Sequence, residues 1–126
     1  RPPEGGPRRV AALVAHMHNC GLRYLERTDP AAPVPQTLDR HRVTPAQALK
    51  ALGAKRKAVL GVVGAALAGN GKIIGFPGGA VKYLTYYMVH DAHHRGQIMD
   101  LARRLGHPIS RRTMAGMWEW SARARE

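Results

Sequence analysis

A chain of 126 residues has the length of one domain, residues 1–126, and buries enough apolar surface for a single core without covalent staples. One cysteine, Cys20, excludes an intrachain disulfide, and the longest weakly polar stretch, Ala58 to Ala68, is too short and too interrupted by Gly61 and Gly64 to cross a bilayer. The net charge of +12 favours a polyanion partner, but the basic residues fall in isolated pairs (Arg8-Arg9, Arg103-Arg104, Arg111-Arg112) with no interleaved aromatics to stack bases, which weighs against nucleic acid.

The chain opens without Met on the linker-like run Arg1-Pro2-Pro3-Glu4-Gly5-Gly6-Pro7, so a preceding segment is expected. Nothing there has the charged, apolar and small-residue succession of a signal peptide, and a reducing cytoplasm is the expected setting. A first helix is predicted from about Pro7 to Glu26, with Val10, Leu13, Val14, Met17, Gly21, Tyr24 and Leu25 facing the core at helical spacing. The prolines between Asp29 and Pro35 end it and begin a long connection to about Val43. Thr44-Pro45-Ala46-Gln47 reads as a capping box that starts a second helix. Its expected apolar stripe is Leu49, Leu52, Val59, Leu60, Val63 and Leu67, and Gly69-Asn70-Gly71 supplies left-handed residues to close it. After the turn Phe76-Pro77-Gly78-Gly79, the longest helix runs from Ala80 to Leu105 and is stopped by Gly106-His107-Pro108. The tail, with Trp118 and Trp120, reads as a last helical turn or two. No alternating apolar pattern argues for a strand, so the class is all-α.

The chemistry lies on the third long helix. Tyr83, Tyr87, His90, His94, Gln97 and Leu101 are spaced by fours and threes, which places them on one stripe. A buried imidazole or phenol without a partner costs a few kcal/mol, and a metal ion would satisfy the histidines. His90 and His94, four apart, present two imidazoles one turn apart, the geometry of paired-histidine metal sites. Asp91 stands where a zincin motif would need its glutamate, which discounts that reading. The other histidines cluster at His16 and His18, with His93 beside the pair and His41 and His107 in connections, so the first helix should supply a third ligand. The helical wheel does not choose between His16 and His18, each roughly 90 to 110 degrees from the centre of the apolar stripe. Cys20, one turn after His16, is a conceivable fourth ligand that would close the site, or a packing residue.

Ala15-His16-Met17-His18-Asn19, the block Tyr87 to Gln97 (YMVHDAHHRGQ), the run Gly71 to Phe76 and the ending Gly116-Met117-Trp118-Glu119-Trp120 together resemble the DinB-like family of metal-dependent enzymes. The resemblance implies a four-helix bundle with a long crossover, often dimeric, holding one divalent ion, zinc or nickel, on three histidines. Carried onto this chain, the ligands would be His16, His90 and His94, with His18 and His93 beside the site or on the surface. Only three long helices are visible, which implies that the family's first helix is absent here. The resemblance also implies a hydrolase, or a transferase of low-molecular-weight thiols, acting on a small molecule.

Three imidazoles leave an open coordination position where a metal can bring water or a thiol toward neutrality. Tyr83, Tyr87 and Gln97 are the candidates to orient substrate, with core packing the alternative for the tyrosines. Gly96 is expected to admit a close helix, and Trp118 and Trp120 to cover the bundle end or meet a second subunit. Two rivals stand beside the metalloenzyme: a basic nucleic-acid-binding module, and a structural metal bundle without turnover.

Overall fold

A computed structural model describes residues 10–28 and 34–125. Within them the chain forms α1 (Val10–Thr28), α2 (Pro45–Ala68), α3 (Gly79–Arg104), α4 (Arg111–Met117) and α5 (Trp120–Arg123), with no strand. The only extended pairing among the described residues is an isolated bridge between Ile73 and Phe76. The expected start of the first helix at Pro7 falls outside them. No described helix is long and apolar enough to cross a membrane.

Helix α2 starts as its sequence requires. Thr44 Oγ1 accepts from Gln47 N–H at 3.2 Å, Gln47 Oε1 accepts from Thr44 N–H at 2.9 Å, and Pro45 occupies the first turn. The closing signal differs from expectation: Gly69 has φ −99 and only Gly71 is left-handed, at φ +74. Helix α3 begins at Gly79, whose φ of +68 and close approach to the Gly71 carbonyl leave no room for a Cβ.

Helices α1, α2 and α3 each pack on the other two. Their main core joins Leu22 and Leu25 of α1, Val59 and Val63 of α2, and Ala80, Tyr83 and Tyr87 of α3, with Ile73 from the connection. Each fully buried aliphatic side chain here stabilises by roughly 1.5–3 kcal/mol. A second cluster, Ala11, Val14, Ala15, Val43 and Ala48, anchors the N-terminal part of α1 to the start of α2. The long connection is strapped along α1: the Asn19 side chain donates to the Leu38 carbonyl and accepts from its N–H, both at 2.9 Å.

Gly21 decides how closely the three helices meet. A Cβ there would lie 2.6 Å from Lys55 Cδ and 3.1 Å from Tyr87 Cε1, so its absence lets α2 and α3 converge on one turn of α1.

Three expectations change. The α2 stripe is split: Val59 and Val63 are buried, whereas Leu49, Leu60 and Leu67 are exposed. The buried face of α2 is set by α1 and α3 together, and their contact line does not follow all the leucines. Gly96 has open space where a Cβ would point, so no described helix uses it for close approach. Trp118 and Trp120 are 80% and 86% exposed, so they do not form a cover over the bundle end of the described residues. As expected, the described residues supply three long helices, and an open groove of about 620 Å³ between α2 and α3 is lined by Leu52, Val59, Leu60, Leu84 and Met88 among others.

Candidate metal centre

The α3 stripe exists and splits into two functional halves. Its first half is core. Tyr83 is fully buried, and the Tyr87 hydroxyl donates to the Gly21 carbonyl at 2.6 Å. The two phenols lie 3.4 Å apart, and burial, then the Tyr83 hydrogen bond, pushes the Tyr87 phenol far up. Both hydroxyls are engaged inside the bundle, which gives the two tyrosines a packing role rather than one toward substrate.

The second half meets α1. The ring of His16 lies 6.2 Å from that of His90 and 4.8 Å from that of His94, centroid to centroid, and the His90 and His94 rings are 4.5 Å apart. Three imidazoles from two helices therefore share one small volume. Cys20 borders it, with Sγ 3.5 Å from His16 Nδ1 and 3.6 Å from Nε2. One donor atom each from His16, Cys20 and His90 fall within 4.8 Å of one another, close enough to converge on a single ion; His94, the third expected ligand, is not part of that set, though its ring packs against both histidines.

The surroundings orient these rings. Gln97 Oε1 is a carbonyl and can only accept, so His94 Nδ1 donates to it at 2.8 Å and Nε2 keeps its lone pair. The amide of Gln97 donates in turn to His93 Nε2 at 3.1 Å. His90 Nδ1 faces Asp91 Oδ1 at 3.5 Å, which favours the same tautomer. Metal-binding imidazoles are commonly set by such partners on the second nitrogen. Burial holds the His16 imidazole below its usual 6.5, and His94, Arg40, His90 and Arg23 add to the effect. His90 is also lowered, by burial first, with Asp91 pulling the other way. Neutral imidazoles are what a cation requires.

His18 lies elsewhere. It is fully buried, and its Nε2 donates to the Gln36 carbonyl at 2.8 Å, while Nδ1 has no partner among the described residues. Its role is to hold the connection to α1, not to sit on the surface. Nothing in chain order points to Lys55, yet it anchors the centre from α2. Its Nζ, on a side chain 4% exposed, reaches the two Asp91 oxygens at 3.0 and 3.1 Å and so fixes the carboxylate beside His90. The one available signal was register: Lys55 lies three residues after Leu52 and four before Val59, which puts a lysine on the apolar stripe of α2.

Between α1 and α3, beside the histidines, a cavity of about 200 Å³ is lined by Cys20, Arg23, Tyr24, Arg27, Tyr86 and His90. The Tyr24 and Tyr86 hydroxyls lie 2.7 Å apart, and that bond, then burial, pushes the Tyr86 phenol up to about 12. On the far end of α3, Arg103 and Arg104 both pair with Asp100, at 3.0 and 2.7 Å, so this basic pair is partly neutralised.

Fold and site together define an all-α bundle with a His/Cys cluster of metal-binding type. Residues 79–123 match the model of the DinB family. That segment contains His90, His94 and Gln97. No curated protein and no solved structure matches the chain.

Proposed function

We propose that this chain is a DinB-like metalloprotein that holds one divalent ion, zinc or nickel, on His16, His90 and His94 and acts on a small molecule as a hydrolase or thiol S-transferase. The observation that carries the reading is the convergence of the three rings, with Nδ1 of His94 tied to Gln97 and Nδ1 of His90 against Asp91, so that each Nε2 is left free. The donor set fits the metal: neutral nitrogens with an adjacent thiol suit zinc or nickel better than a hard cation. When bound, such an ion supplies Lewis acidity that makes a water or a thiol nucleophilic near neutral pH.

The protein's own part is positional. Lys55 holds Asp91, Asp91 and Gln97 hold the two α3 imidazoles in one tautomer, and Gly21 leaves room on α1 for the Lys55 and Tyr87 side chains. The cavity beside His90 provides room for a small substrate.

Cys20 favours a second reading, a closed site of three histidines and a thiolate with no turnover. Cobalt(II) substitution separates the two. An open site gives a spectrum without a sulfur-to-metal band, unchanged in Cys20→Ser. A closed site gives that band and loses it in Cys20→Ser. Elemental analysis after remetallation tests the metal itself: uptake of one equivalent by the wild type and loss in His90→Ala and His94→Ala are expected. No uptake above background, or equal uptake by both variants, would overturn the assignment.

A further inference from the structure

The cavity beside the histidines is rich in hydrogen-bond donors and poor in acceptors. Arg23, Tyr24 and Arg27 lie three, four and seven residues after Cys20, on one face of α1, and Tyr86 and His90, four apart on α3, form the opposite wall. No carboxylate lines the space, and neither Arg23 nor Arg27 is paired with one among the described residues. The two tyrosine hydroxyls bridge the helices at 2.7 Å. Two O–H groups share one hydrogen bond there, so whichever accepts still has a proton to donate.

The volume, about 200 Å³, is below that of sites for drug-sized ligands but well above the roughly 30 Å³ a water occupies. It suits the charged end of a small substrate. Two guanidinium forks, one turn apart, match the planar or tetrahedral oxygens of an anion.

We propose that this cavity is an anion subsite, in which Arg23, Arg27 and the Tyr24–Tyr86 pair bind a carboxylate or phosphate group of the substrate and place the rest of that molecule against His90. The substrate class is therefore a small organic acid or phosphate ester. Its meaning as a substrate subsite rests on the metal-centre reading, whereas the anion binding itself does not.

The test uses the whole chain after chelation, titrated with inorganic phosphate and, separately, acetate at constant ionic strength, while the side-chain Nε–H signals of Arg23 and Arg27 are followed by NMR. Saturable shifts are expected, with affinity falling about tenfold in Arg27→Gln and in Arg23→Gln, as for loss of a hydrogen bond to a charged group, and unchanged in Arg103→Gln. Tighter phosphate assigns the phosphate ester and tighter acetate the carboxylic acid. Non-saturating shifts, or shifts that persist in both cavity variants, overturn the proposal. Failure of the same protein to take up metal would defeat the metal-centre reading without altering these titrations.

Discussion

Replacing Asp91 by Asn removes a charge from the ion pair that ties α2 to the histidine helix. Lys55 Nζ sits 3.0 and 3.1 Å from the two carboxylate oxygens, on a side chain 4% exposed, while the Asp91 side chain is 38% exposed. Stranding one partner of a fully buried pair costs about 3–5 kcal/mol. Here the carboxylate is more than a third exposed and the amide oxygen still accepts one hydrogen bond, so solvent screening brings the expected loss down to about 2 kcal/mol. For a domain of this size that lowers the melting midpoint by roughly 8 °C. Thermal unfolding of chelated protein by circular dichroism measures it. The double variant Lys55→Met/Asp91→Asn removes the stranded ammonium and should recover more than half of the loss, because the two residues are directly coupled. Metal affinity of Asp91→Asn should also fall, by about tenfold or more, since the charged acceptor beside His90 Nδ1 becomes a neutral amide. An Asp91→Asn midpoint within experimental error of wild type, or a double variant no more stable than the single one, would refute the account of Lys55.

Acidification should destabilise the chelated protein. Because His16 and His90 are both held below 6.5 in the folded state, the unfolded chain binds protons that the folded chain refuses, and stability falls as pH drops through that value. Urea midpoints at about pH 7.5 and about pH 5.5 show this, and an equal drop in His16→Gln/His90→Gln would contradict it. Tyr87→Phe should lose about 1 kcal/mol, the worth of its bond to the Gly21 carbonyl, with metal uptake unaffected. Abolished uptake would place the phenol in the site instead of the core. Thr44→Ala should cost about 1 kcal/mol in chemical denaturation by removing the α2 cap, and a neutral result would show that the capping box is not what starts the helix.

Local codes were legible along the chain because they act through covalent neighbours. Thr44 with Gln47, the four-and-three spacing from Tyr83 to Leu101, and the prolines and glycines at helix ends set the helices and placed His90 and His94 on one stripe. What the stripe touches is a different matter. A helical wheel gives angles within one helix but not the crossing of two, so it left His16 and His18 equal, and only the resemblance favoured His16. The packed helices put the His16 ring 4.8 Å from that of His94, and turned His18 onto Gln36. The same limit hid Lys55 and the pairing of Tyr24 with Tyr86, residues 62 positions apart. By itself the sequence determined which segments are helical and which side chains carry donor atoms, since hydrogen bonding within a turn decides both. Only the tertiary structure decided which donors share a volume, because that depends on how the helices pack against one another, as at Gly21, where the missing Cβ makes room for the Lys55 and Tyr87 side chains.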